Sequence, residues 1–205
     1  MAAGSSSLYE FLPGFILGFH GTKKEIAEKV LAGHTVLRKS ANDYDWLGSG
    51  VYFWESSPSR AYQFALETFA RHEPPYTGDV GVVGAIIDPG KCLNLLEASA
   101  ITQVKQAYGV LAVRFPEGGM PRNEGGHDLL KRYLDCAVIQ ALHEIRDEAS
   151  AAGEASSLAP YQTVRAAFRE GNALYPDAGF HEKTHIQIAV RDFSCIKGYF
   201  RPLEQ

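Results

Sequence analysis

The clearest helical period of this chain lies in its middle. Leu129, Leu130, Tyr133, Leu134, Ala137, Val138, Ala141, Leu142 and Ile145 recur with the spacing of one helix face. On either side the apolar residues come in short runs, at 15–19, 50–54 and 80–87 before it and at 184–190 and 195–200 after it. Those runs are bounded by glycine, proline or polar clusters, and 80–87 is rich in β-branched residues before its Asp88-Pro89-Gly90 turn, so they read as strands. Strands towards both ends with helices between them predict an α+β domain, not a regular βαβ series.

Shorter helices flank the first strands. Thr22 followed by Glu25 is a capping-box pattern, which predicts that the Thr22 hydroxyl caps a helix carrying Ile26, Ala27, Val30 and Leu31 and ending at Gly33. Ser57-Pro58 predicts a second helix start, followed by the stripe Ala61, Phe64, Ala65, Leu66 and Phe69. Residues 34–49 read as a polar loop, 149–159 as an Ala/Ser/Gly linker, 161–170 as either helix or strand, and 1–7 as a frayed tail. At 205 residues the remainder, 8–205, is expected to be one domain.

Composition narrows the function classes. A net charge of −4 argues against a protein built mainly to neutralise phosphates, while leaving room for a local basic groove. Cys92, Cys136 and Cys195 are odd in number and lack metal-ligand spacing, which predicts reduced, buried thiols in a cytoplasmic protein and no metal site. No run approaches the roughly 20 apolar residues that cross a bilayer, so no membrane partner is expected. The first residues lack the pattern of a signal peptide.

Gly18-Phe-His-Gly-Thr22 precedes Gly50-Val51-Tyr52-Phe53 by 32 positions. Breaking the bond between nicotinamide and ribose in NAD develops an oxocarbenium-like centre. A protein helps by gripping the leaving ring, holding the ribose and placing polar groups near the charge. A glycine lets backbone approach a carboxamide, an aromatic stacks on the ring, and His or Thr orients sugar hydroxyls.

Together the two motifs resemble the NAD-binding frame of ADP-ribosyltransferases, in the clade of diphtheria toxin and the poly(ADP-ribose) polymerases. The likeness covers residues 14–65 and 180–200. It implies a split antiparallel sheet with NAD as substrate in the cleft, and no metal. It further implies that Gly21 pairs its backbone with the nicotinamide amide, Thr22 adds a side-chain bond, His20 holds a ribose hydroxyl and Tyr52 stacks on the ring. Tyr62 or Phe64 completes the sandwich, and Arg38, Ser40 and Tyr44 line the adenosine side. The stretch around 98–160 has no counterpart in the polymerases and reads as a helical insertion. The whole is similar to stand-alone bacterial transferases of toxin or phage-defence type, which implies a macromolecular acceptor, protein or nucleic acid, and an antitoxin or inhibitor as a further partner.

The third element of that family is a glutamate at the start of a C-terminal strand, and here the position falls on Gln187. Alternation sends Gln187, Ala189 and Arg191 to one side and Ile186, Ile188 and Val190 to the other. Such a glutamine is either a buried polar group waiting for a partner, which the NAD ribose would supply, or a solvent-facing residue of an edge strand. It can bond a hydroxyl but cannot act as a general base. The resemblance therefore implies single transfer and not chain elongation, with Glu55 the acid placed to assist or else a surface residue. A pocket that binds NAD or ADP-ribose without turnover is the alternative. A remote one is a zinc peptidase, since His181-Glu-Lys-Thr-His185 matches H-E-x-x-H. That chemistry needs a helix, and the run leads into a strand, where four residues span about 13 Å.

Overall fold

The structure is a computed structural model that describes residues 14–116, 118–153 and 158–203. In chain order it contains β1 (Ile16–Lys23), α1 (Lys24–Leu31), β2 (Val51–Glu55), α2 (Pro58–Ala70), β3 (Val80–Ile87), β4 (Cys92–Asn94) and α3 (Ala98–Val113). There follow β5 (Asn123–Glu124), β6 (Lys131–Arg132), α4 (Tyr133–Ala151), β7 (Thr163–Phe168), β8 (His185–Val190) and β9 (Ile196–Phe200). Seven strands make one sheet in the order β4-β7-β8-β2-β1-β3-β9, and β5 and β6 pair separately. Every pairing in the sheet is antiparallel except β4 with β7. The class is mixed α+β, as the distribution of runs predicts.

Alternation along the strands builds two apolar layers. Val51, Phe53, Val83, Ala85, Ile87, Ile188 and Val190 pack with Ala27 and Val30 of α1 on one face. The other face meets α2 through Phe19, Trp54 and Ala61, and meets α3 and α4 through Val164, Ala166 and Ala189. Residues between β4 and β7 supply α3, the β5–β6 ladder and α4. The middle strands are covered on both sides, which is why their sequence runs are nearly continuous in apolar residues.

Several local expectations change. Thr22 is not a cap: β1 runs on through Lys23, Thr22 lies opposite Gly81, and the first turn of α1 is held instead by Lys24 N–H donating to the Asp79 carbonyl at 2.8 Å. A backbone acceptor from the next strand has replaced the side-chain cap. Ser57 does precede a helix with Pro58 in its first turn, but its hydroxyl makes no capping bond. Residues 129–132 precede α4 and include β6, and the helix continues through Ala151 into what reads as linker. The ambiguous stretch 161–170 contains strand β7, locked between β4 and β8. Residues 1–7 and part of the 149–159 stretch lie outside the described residues.

Candidate functional site

The central feature is a fork between β1 and β2. The two strands pair at Gly18 with Glu55 and at Phe19 with Trp54, and there the pairing stops. In an antiparallel ladder alternate residues turn both N–H and C=O to the same neighbour. The Leu17 carbonyl accepts from Ser56 N–H at 2.9 Å, so Leu17, Phe19 and Gly21 face β2, and Tyr52 and Trp54 face back. Continued pairing would join Gly21 to Tyr52. Instead the His20 ring enters, and Nδ1–H donates to the Tyr52 carbonyl at 2.8 Å. The N–H and C=O of Gly21 are left facing the gap.

Burial pulls the His20 pKa below its ordinary value, partly offset by the bond to Tyr52, so the ring is neutral at neutral pH. With Nδ1 carrying the proton to a carbonyl, Nε2 is the lone-pair acceptor. Gly21 has a second constraint. A Cβ there would lie 2.1 Å from the Ala61 carbonyl oxygen, so its missing side chain lets α2 lie directly on β1.

Tyr52 is half-buried against the α3/α4 layer, and its hydroxyl is fully engaged. It accepts from Leu47 N–H at 3.0 Å and donates to the Gly48 carbonyl at 2.8 Å, bracing the loop that leads into β2. Burial raises its pKa well above the phenolic range. The ring thus lies beside the fork while its hydroxyl holds the fork's upstream loop.

Gln187 is buried in the row Phe19–Trp54–Gln187–Ala166 that crosses β1, β2, β8 and β7. It is a buried polar group, and the alternative of a solvent-facing edge residue is overturned. β8 is an interior strand, so Gln187 faces no solvent edge, and its partner belongs to the protein: Trp46 Nε1–H donates to Gln187 Oε1 at 2.6 Å. Gln187 leaves the α3/α4 face, whereas the His20 ring meets Phe53 on the α1 face at 6.0 Å between ring centroids.

The remaining residues divide by location. Thr22 shares the His20 face at the end of β1. Ser40 bridges Gly50 through both backbone groups at the open end of the fork, with Arg38 exposed nearby in sequence. Tyr44 makes an edge contact with Tyr133 of α4. Phe64 packs on Trp54 at 4.6 Å, on the Gln187 side, while Tyr62 lines a depression on the far side of β3. Glu55 is neither a free acid nor a plain surface residue, because Arg165 grips both its oxygens at 2.6 and 2.8 Å.

The His181–His185 stretch forms no helix. His181 sits at a bridge opposite Ala173, His185 opens β8, and each Nδ1 bonds a different backbone carbonyl, of Gly171 and of Lys183. The shared-face geometry of a zinc peptidase is therefore not formed. Cys92, Cys136 and Cys195 are free, buried thiols, each with its pKa pushed up to about 11 chiefly by burial, which makes them inert at neutral pH.

Sequence reasoning missed the surroundings of Gln187. His185 stacks on Phe168 at 5.6 Å and lies 6.0 Å from Trp54, and Trp46 meets Phe168 at 4.9 Å. Beneath them Arg60 and Glu170 form a buried bidentate pair at 2.8 and 2.9 Å. Trp54 Nε1 and His185 Nε2 are buried without a hydrogen-bond partner. A tryptophan in an otherwise polar loop was the available signal for Trp46. Comparison of the chain with protein-family models, with curated proteins and with solved structures returns no match.

Proposed function

We infer that this protein is a mono-ADP-ribosyltransferase, which moves ADP-ribose from NAD to a macromolecular acceptor and releases nicotinamide. The observation that carries the reading is the fork. Three segments far apart in sequence, at His20–Thr22, Tyr52 and Gln187, come to adjacent strands β1, β2 and β8, and the backbone of Gly21 faces the gap between the first two. One N–H beside one C=O complements a carboxamide, which offers one acceptor and two donors.

In this reading the nicotinamide amide takes the place of the missing Tyr52 partner on Gly21. His20 Nε2 accepts from a ribose hydroxyl, and Thr22 and Ser40 flank the ligand at the open end, with Arg38 and Tyr44 towards the adenosine. Tyr52 and Phe64 supply aromatic surface, and Gln187 orients the ribose from the far face. The bond between ribose C1′ and the nicotinamide nitrogen breaks, and nicotinamide leaves with the electron pair. The acceptor nucleophile then bonds C1′ and gives up its proton. Gln187 cannot take that proton, which limits the chemistry to acceptors that need little deprotonation or are activated elsewhere.

A second reading, an NAD or ADP-ribose binding module without turnover, draws on a specific observation. Both nearby candidates for electrostatic help are occupied, Gln187 by Trp46 and Glu55 by Arg165. Incubation with NAD labelled in the adenylate and in the nicotinamide separates the two. Release of free nicotinamide, with adenylate label passing to a cell extract, supports the transferase. Saturable NAD binding with neither supports the binder, and no binding at all removes both. Protease and nuclease digestion of the labelled fraction then identifies the acceptor class.

A further inference from the structure

We propose that Trp46 is a positioning residue of the site, which fixes the Gln187 amide as a hydrogen-bond donor towards NAD and so restrains NAD hydrolysis. The inference rests on the reading of the fork as an NAD site. An indole N–H can donate and cannot accept, so the Gln187 atom 2.6 Å from Trp46 Nε1 is the amide oxygen Oε1. The Nε2 group is then turned away from the indole, and the N–H side of the amide remains for a ligand. Among the described residues nothing accepts from Nε2. Trp54, opposite Gln187 on β2, adds a second donor in Nε1–H, which is buried and unpartnered too.

The indole is itself held in place. It meets Phe168 edge-on at 4.9 Å between ring centroids, and Phe168 carries His185 stacked at 5.6 Å and the Arg132 guanidinium at 4.6 Å. The loop is tied on either side of Trp46. Asn42 N–H donates to the Asp45 carboxylate at 2.8 Å, and Leu47 N–H donates to the Tyr52 hydroxyl at 3.0 Å. Turning the Gln187 amide over would set its N–H against the indole N–H, two donors face to face with no acceptor between them.

The sense of that amide matters to the reaction. As C1′ loses nicotinamide it gains positive charge, which a nearby amide oxygen stabilises and an amide N–H does not. Held by Trp46, Gln187 can donate to a ribose oxygen and so orient the sugar, but its own partly negative oxygen stays on the indole. Freed from the indole, the amide can rotate, accept from a ribose hydroxyl and place that oxygen beside the developing cation. NAD hydrolysis then quickens: water bonds C1′, nicotinamide leaves with the electron pair, and the proton of the water passes to solvent. Trp46 thereby limits the loss of bound NAD to water.

The test measures nicotinamide release from NAD by the whole protein without an acceptor. Trp46→Phe should raise kcat about tenfold while KM changes less, whereas loss of a merely structural indole would lower kcat. The gain should vanish when Gln187→Met is also present, because the indole acts through the amide. In the unmodified protein, labelled at its side-chain nitrogens, NAD should shift the Gln187 NH2 resonances and leave the Trp46 indole N–H resonance in place, a readout that needs no variant to fold. Unchanged or lower kcat in a folded Trp46→Phe protein, an equal gain in the Gln187→Met background, or loss of the Trp46–Gln187 bond on NAD binding would overturn the proposal. Absence of NAD binding by the unmodified protein would instead overturn the NAD reading, and this proposal with it.

Discussion

His20 Nδ1 donates to the Tyr52 carbonyl at 2.8 Å, and that bond stands where a strand ladder would otherwise continue. One side chain takes the acceptor that Gly21 N–H would use, so β1 and β2 part and a backbone donor and acceptor are held ready at the fork. Buried backbone groups are almost always paired, which makes this opening the place where a ligand has most to offer.

Replacing His20 with valine should let the strands close. With the Tyr52 carbonyl released, Gly21 N–H can join it, and the Gly21 amide should gain about tenfold protection from hydrogen exchange, the equivalent of one net hydrogen bond of about 1.4 kcal/mol. NAD binding should fall in the same protein. An unprotected Gly21 amide in a folded His20→Val protein would show that the ring does not hold the fork open.

Tyr52→Phe separates ring from hydroxyl. The ring remains for stacking, but Leu47 N–H and the Gly48 carbonyl lose their partner, at a cost of about 1 to 3 kcal/mol in denaturant unfolding. Calorimetric NAD affinity should change less than stability. A large loss of affinity with full stability would mean that the hydroxyl touches the ligand.

Trp46→Phe should release Gln187 Oε1 from the indole donor and alter NAD turnover more than NAD affinity, the pattern of an interaction made chiefly in the transition state. Gln187→Glu places a carboxyl in a buried position, where desolvation raises its pKa above the ordinary ~4.3. Any gain in NAD hydrolysis requires the ionised form, so it should grow as pH rises through that raised pKa and vanish below it. A pH-independent rate ratio between Gln187→Glu and the parent would contradict this.

The Arg60–Glu170 pair ties α2 to the chain just beyond β7, with both side chains only 7% exposed. Glu170→Ala leaves the buried Arg60 guanidinium with only its longer contact to Glu67, at 3.6 Å, and should destabilise by about 2 to 3 kcal/mol in urea unfolding. The double change Arg60→Met with Glu170→Leu should recover most of that loss. If the double variant is as unstable as the single one, packing around the pair matters more than its charges.

His143 gives the fold a defined acid sensitivity. It is buried in α4 with neither ring nitrogen hydrogen-bonded, and burial followed by Arg191 and Arg146 pulls its pKa down to about 3. The unfolded chain protonates this ring near 6.5 and the folded chain does not, so the unfolded state binds more protons and stability falls as pH drops through that window. The loss should reach about 2 kcal/mol by pH 5. His143→Leu should flatten that part of the stability-versus-pH curve, measured by unfolding midpoints at pH 7.5 and 5. A slope unchanged by the substitution would assign the acid sensitivity elsewhere.

The sequence alone determined the elements whose signals are local. Strand runs such as 80–87 carry β-branched residues up to a turn, and the helical stripe in α4 repeats with the spacing of one face, so the class and the elements at those runs were legible, while α3, β4 and the state of 161–170 were not. The His-Gly-Thr and Gly-Val-Tyr-Phe segments marked β1 and β2 as the region of interest. Only the tertiary structure decided what depends on partners distant in the chain. Thr22 lost its cap role because Gly81 drew it into the ladder and Asp79 supplied the helix acceptor. Gln187 gained Trp46, 141 positions away, and Glu55 gained Arg165, 110 positions away. Gly21 is glycine partly because α2 folds back onto it, a contact no local pattern encodes. A side chain's type limits the bonds it can make, while its neighbours across the sheet determine which of them it does make.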